Sequence, residues 1–279
     1  MICEDNFNTL TKRAKSYKYS SMNYIEYDAC KNACIIHDNE DLIFLHDASA
    51  TPSMLYFAAN NFDFVIDAIS KLSGELRIHF VPKQFAPQLE SLGFIEWGKF
   101  VDFFNTDLSG TMASLQNIGI IEYLKPDECE EVANLSQKCR LQSRGFEGET
   151  PQWYKEWLSK NRIIVKRKDS KIVGFCCISV YNEGTTLWIR ELAVDPAYQR
   201  MGYGKELVEQ AITYGVKNGA TKGFLLADVL NKNAIGLYNK YNFHATNDDY
   251  ELQLVFVQTE IAPRLSQKST SCAFARKIH

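Results

Sequence analysis

Apolar positions along this chain recur with two different periods, and the switches between them lay out most of the elements. Residues 33–37, 42–46 and 76–81 are short apolar or alternating stretches between polar turns, which predicts strands; 23–27 reads as another. Phe62, Val65, Ile66, Ile69 and Leu72 instead recur three and four apart, so 62–72 is expected to be a helix with one apolar face. A further helix is expected over 82–92, closed by Gly93 and succeeded by aromatic strand residues over 94–104. Residues 105–117 are polar enough to be a linker.

Beyond that point the order begins again. A strand is expected over 118–123, and Lys125-Pro126-Asp127-Glu128 opens a helix with proline and acids in its first turn, running to about residue 141. A glycine-punctuated loop fills 142–149, and Thr150-Pro151 restarts a helix. Strands are expected at 163–167, 172–180 and 186–194, then a helix after Gly202, a strand around Phe224, a helix from Ala234 and a last strand over 252–257. Leu89-Glu90-Ser91-Leu92-Gly93-Phe94 ends one series as Tyr238-Asn239-Lys240-Tyr241-Asn242-Phe243 ends the other. The chain reads as two divergent copies of one unit. The expected division is 1–108, a linker at 109–117, a second unit at 118–257 and a flexible tail at 258–279.

The run Val194-Asp195-Pro196-Ala197-Tyr198-Gln199-Arg200-Met201-Gly202-Tyr203-Gly204-Lys205 turns a strand into an amphipathic helix through Q-x-x-G-x-G. The first N–H groups of a helix have no partner within it and sit at the positive end of the macrodipole, so such a turn holds an anion. A dinucleotide fold is disfavoured. The run lies late in the chain, and no strand ending in an acidic residue comes after it at the distance that fold requires. A second motif stands downstream instead, Asn231-Lys232-Asn233-Ala234-Ile235-Gly236-Leu237-Tyr238 continued by Asn239-Lys240-Tyr241-Asn242-Phe243.

The pair L-A-V-D-P-x-Y-Q-x-x-G-x-G and N-x-x-A-x-x-L-Y-x-x-x-N-F resembles the GNAT superfamily of acyl-coenzyme A-dependent N-acyltransferases, with decreasing sharpness over about 118–257. Where the family usually has glycine this chain has Asn242, a residue that also enters the left-handed region readily. The resemblance implies a mixed α/β (α+β) fold of two GNAT-like domains, each a twisted, mostly antiparallel sheet flanked by helices. It implies acetyl-CoA as acyl donor and no metal, with the coenzyme held by Leu192, Ala193, Val194, Gln199, Arg200, Met201, Gly202, Tyr203, Gly204, Lys205, Asn231 and Ala234. Tyr238 matches the family's phenol that protonates the departing thiolate. The front copy has no glycine pair and carries Leu89 in place of Tyr238, so it is expected to be degenerate and to bind no coenzyme A.

Acyl transfer to an amine needs a base, because an ammonium has no lone pair. Glu191 is the candidate; an ion pair with Arg190 is its structural alternative, and strand alternation puts those two on opposite faces unless a bulge intervenes. Arg144, Glu147 and Glu149 lie in the loop that in the family covers the acceptor site, and equally read as surface charges. The resemblance implies a primary amine, on a small molecule or a peptide, as the acceptor. A non-catalytic acyl-CoA-binding or sensing protein is the alternative reading, and a longer acyl group is a third.

Composition narrows the partners. With a net charge of −3 there is no electrostatic reason to expect nucleic acid, and no apolar run approaches the roughly 18 residues that span a bilayer. No segment with the features of a signal peptide opens the chain, so a cytoplasmic location is expected, as monomer or homodimer. The eight cysteines show no C-x-x-C pair and read as reduced thiols, with Cys176 and Cys177 on opposite faces of one strand.

Overall fold

The computed structural model describes residues 2–22, 25, 27–116, 118–140, 142–144, 146, 148–245 and 250–257. The front part runs α1 (Glu4–Ala14), β1 (Tyr19–Ser20), α2 (Tyr27–Cys30), β2 (Cys34–Asp38), β3 (Leu42–Asp47), β4 (Ser53–Ala59) and α3 (Asp63–Ser70), then β5 (Leu76–Pro82), α4 (Ala86–Ser91) and β6 (Ile95–Asn105). The chain continues through α5 (Leu108–Ala113), β7 (Glu122–Tyr123), α6 (Cys129–Cys139), α7 (Pro151–Lys160), β8 (Arg162–Lys168), β9 (Lys171–Tyr181) and β10 (Thr186–Val194). It ends with α8 (Tyr203–Lys217), β11 (Lys222–Asp228), α9 (Lys232–Asn239), β12 (His244–Ala245) and β13 (Glu251–Phe256).

These strands join into one sheet in the order β2-β3-β4-β5-β13-β6-β11-β10-β9-β8-β7, with β1 pairing β4 and β12 pairing β6 at the sides. The pairs are antiparallel except β4–β5 and β10–β11. Helices cover both faces, so the inner strands are apolar on both sides. In β3, Leu42 and Phe44 face the core under α3 while Ile43 and Leu45 face the core under α1. In β9, Cys176 packs with the α8 layer and Cys177 with the α6–α7 layer, both fully buried, which is the opposite-face arrangement that alternation requires.

The repeat in sequence is a repeat in geometry. Phe94 N–H donates to the Leu89 carbonyl at 3.1 Å and Phe243 N–H to the Tyr238 carbonyl at 3.2 Å, with Gly93 at φ +93° and Asn242 at φ +58° closing the two helices. Both are left-handed helix ends, the conformation that favours glycine or asparagine.

Two expectations about organisation differ from the observed fold. The two units do not carry separate sheets: β6, which ends the first, pairs with β11 of the second, and β13, which ends the second, lies between β5 and β6. The expected linker carries α5, because Asp107 caps it by accepting from Gly110 N–H at 2.8 Å and Leu108 and Thr111 are buried. The strand expected at 118–123 is reduced to Glu122–Tyr123, and Tyr27 begins a helical turn; residues 23, 24, 26 and the tail 258–279 lie outside the described residues. Strand β4 and helix α1 are additional to the elements read from the pattern.

Candidate active site

Strands β10 and β11 pair in parallel only from Thr186–Lys222 to Ile189–Leu225. Beyond that the two diverge, β10 remaining on β9 to Val194 and β11 remaining on β6 to Asp228. The fork exposes one backbone edge of residues 190–194 in the cleft. At its far end Asp195 turns the chain by accepting from Ala197 N–H at 3.0 Å, and the Gln199 amide donates to the Val194 carbonyl at 3.1 Å and to Gln142 Oε1. Arg200 (φ +64°) and Gly202 (φ +91°) then reverse the backbone into α8. The first bond inside that helix is Glu206 N–H to the Gly202 carbonyl, 3.0 Å, so the N–H groups of Tyr203, Gly204 and Lys205 have no helical acceptor.

The two glycines have different reasons. Gly202 needs its left-handed φ, and a Cβ there would meet nothing within 4 Å. A Cβ on Gly204 would lie 3.6 Å from Leu237, 3.8 Å from Val194 and 4.0 Å from Leu192, filling the space between the start of α8, the free edge of β10 and α9. Positive side chains flank this turn: Arg200 donates to Asn233 Oδ1 at 3.3 Å and Lys205 lies 3.7 Å from Glu209. Met201 is exposed, and Tyr203 is half-buried with Lys166 over its ring. Asn231 caps α9, accepting from Ala234 N–H at 3.2 Å.

The inner end of the fork holds the titratable groups. The register of β10 on β9 slips between Ile189 and Glu191, a bulge at Arg190. Leu187 and Ile189 before it, and Leu192 and Val194 after it, all join the α8 core, so the slip turns Glu191 toward α6 and α7 with Trp188 and Ala193. There Glu191, 5% exposed, accepts from Ser136 Oγ and from the Tyr154 hydroxyl, each at 2.9 Å. Burial pushes its carboxyl up to about 7; Arg190, 3.7 Å away, pulls the other way. Arg190 also pairs with Glu149 at 2.7 Å and lies 4.2 Å from the centre of the Trp153 ring. Tyr238, on α9, is buried and lines the same cleft, and burial raises its phenol above the usual range, with Cys176 adding to it.

Arg144 binds Asp228 through two bonds of 2.9 and 2.8 Å and Glu96 through one of 2.6 Å, tying the loop after α6 to the ends of β11 and β6. Of the loop residues named from the sequence, Arg144 and Glu149 line the cleft, and Glu147 lies outside the described residues. One cavity of about 1530 Å³ takes in Gly204, Tyr238, Glu191 and Arg144, and extends to Tyr56 and His79 of the front part. Among the described residues no cluster of three or more His, Cys, Asp or Glu is placed to hold a metal, and no helix is long and apolar enough to cross a membrane.

Residues 129–243, from the start of α6 through Phe243, match the acetyltransferase (GNAT) family. The match lies wholly in the second unit and takes in somewhat under half of the chain. A stretch of 100 residues is 33% identical to an uncharacterized N-acetyltransferase of Methanocaldococcus jannaschii; it covers 33% of this chain and only 44% of that protein. An acetyltransferase from the GNAT family of Colwellia psychrerythraea has a similar fold over 92% of this chain and 98% of its own, with 10% identity and a TM-score of 0.56. A tandem GNAT protein from the clavulanic acid biosynthesis pathway superposes over 77% of each chain, with 10% identity and a TM-score of 0.54. At that identity the likeness is one of fold, and the shared fold is a large, mostly antiparallel sheet flanked by helices.

Within the matched segment the structure brings Leu192 to Val194, Gln199, Arg200, Gly202 to Lys205, Asn231, Ala234, Glu191 and Tyr238 to one cleft, while exposed Met201 stands outside its lining. Ser136, Tyr154 and Asp228 are site residues that the sequence reading missed. Ser136 and Tyr154 stand 55 and 37 positions from Glu191, and no local pattern marks them. Asp228 had a signal, an acid ending an apolar strand directly before the Asn231 motif.

Proposed function

We propose that the matched segment is a GNAT domain that transfers an acyl group, acetyl in the first instance, from coenzyme A to a primary amine by direct attack. One observation carries this reading: the fork between β10 and β11 has an uncapped helix N-terminus at one end and a buried carboxyl with a raised pKa at the other. Coenzyme A would supply a thioester activated for attack and a thiolate as leaving group.

The residues fit such a ligand. The free N–H groups of Tyr203, Gly204 and Lys205 favour a pyrophosphate, with Arg200 and Lys205 beside them, and the space a Cβ on Gly204 would fill is the space the ligand needs. The edge of Leu192 to Val194, which has no strand beside it, offers backbone hydrogen bonds to an extended amide arm, with the Val194 carbonyl already accepting from Gln199. Asn231 and Ala234 close the opposite wall at the start of α9.

Glu191 serves as base for the attacking nitrogen. A carboxyl poised near 7 is half ionised at neutral pH and accepts a proton with a driving force that an ordinary carboxylate lacks. Ser136 and Tyr154 hold it in place by donating to one of its oxygens, Oε1, and Arg190 favours its ionised form. Tyr238 remains a neutral phenol over the working range, a proton donor for the departing sulfur. The test is thiol release from acetyl-CoA over a panel of amines and peptides, run beside coenzyme A binding by calorimetry. Binding with amine-dependent thiol release is expected; a chain that does not bind coenzyme A overturns the reading, and binding without turnover on any acceptor favours a sensing protein.

A further inference from the structure

The front part has a fork of its own. Strands β4 and β5 pair in parallel from Ser53–Leu76 to Leu55–Ile78 and then diverge, opening at Tyr56 and His79 as the other fork opens at Arg190 and Leu226. Coenzyme A is excluded from it by this chain's own residues. Since β3 occupies one edge of β4, β1 takes the other: Tyr19 pairs Ala59, Ser20 pairs Ala58, and Ser21 exchanges bonds of 2.9 Å with Phe57. The next helix, α3, begins with Asp63 and has no glycine before it, so its first turn repels an anion.

Only the mouth of this fork stays open, and it opens into the catalytic cavity. Tyr56, His79 and Phe80 line it with Met54 and Ile25, and exposed Lys31 is the one charged side chain that the front part adds there among the described residues. His79 presents a neutral ring there, because burial, with Arg77 nearby, lowers its imidazole to about 3. In sheet order the two forks stand four strand spacings apart, about 19 Å.

We propose that the mouth of the front fork is a distal acceptor subsite: it takes the far end of an elongated amine, a neutral aromatic or alkyl group that packs against Met54, Tyr56, His79 and Phe80, while the amine lies at Glu191. The vacated coenzyme groove of one half thereby becomes the acceptor ruler of the other. The inference rests on the acyl-transfer reading, and small amines would be poor acceptors for want of this contact.

The test uses coenzyme A thioethers carrying tails of the form S-CH2-CO-(Ala)n-tyrosinamide, with n from 0 to 6, and reads equilibrium affinity, so no turnover is needed. An extended residue spans about 3.3 Å, so a tail of about six reaches from fork to fork. Affinity is expected to be flat for short tails and to rise about tenfold at five or six residues. His79→Asp, which puts a charge into the neutral mouth, and independently Met54→Trp, which fills it, are each expected to abolish that rise while leaving the affinity of plain coenzyme A unchanged. Tight plain coenzyme A with no dependence on tail length, or a rise that survives in both variants, overturns the subsite and leaves the acyl-transfer reading standing; failure of plain coenzyme A to bind overturns both.

Discussion

In the proposed reaction Glu191 serves chemistry at the expense of stability. Its folded pKa is about 7 against an ordinary 4.5, so the folded chain holds this proton more tightly than the unfolded chain does. The stabilisation is therefore complete below pH 4.5 and is lost as pH rises through 7, leaving the ionised, buried group on the order of 3 kcal/mol less favourable above that. Glu191→Gln keeps an acceptor for Ser136 and Tyr154 and cannot ionise. Denaturant melts should find it more stable than the parent at pH 8 and little changed at pH 5. In the acetylation assay the same variant should lose about 100-fold or more in rate, together with the rise in kcat/KM through pH 7 that the parent shows. Tyr238→Phe should lower kcat by about tenfold or more and leave coenzyme A affinity within twofold, a split that calorimetry beside steady-state kinetics resolves.

At the scale of elements, local patterns in the sequence were legible wherever one residue type has a local job. Gly202 and Asn242 need left-handed backbone, Thr150 and Asn231 cap helices, and all four sit where their neighbours announce them. The bulge at Arg190 was legible only as a condition, because whether a strand slips depends on what its neighbour and both helix layers demand. Ser136 and Tyr154 around Glu191, and Glu96 around Arg144, were not legible at all: they arrive from other elements through packing, and packing leaves no short-range mark. Strand β4 is a different case: like β3 and β9 it is an apolar run buried on both faces, so it carried a local signal of its own. Gly204→Leu should abolish coenzyme A binding while circular dichroism stays unchanged, because its side chain enters the cleft between Leu237 and Leu192 and displaces no packed group. Titration of the parent by calorimetry should give one coenzyme A per chain, since β1 occupies the second groove; two would show that the plug yields.

For the molecule as a whole, the exchange of last strands decides what can fold alone. A fragment of residues 118–257 contains β11 without β6, and a fragment of 1–108 contains β5 without β13, so each would expose a full strand edge at the centre of the sheet. Each would also lose core: Phe103 packs with the α8 layer, and Leu252 and Leu254 pack with Phe57 and Leu89 of the front. Sequence could not announce this, because a strand's own residues say that it is buried and not which partner buries it. The two halves are therefore one folding unit despite a repeat in sequence. Either fragment alone is expected to aggregate or stay unfolded, and the full chain to unfold in a single transition tracked alike by circular dichroism and tryptophan fluorescence. Mixing the two fragments during refolding should restore coenzyme A binding, since the strands can exchange between chains as they do within one. A fragment of 118–257 that folds alone and binds coenzyme A would show that β6 and β11 hold each other less tightly than their shared register from Gly223–Asn105 to Asp228–Phe100 requires.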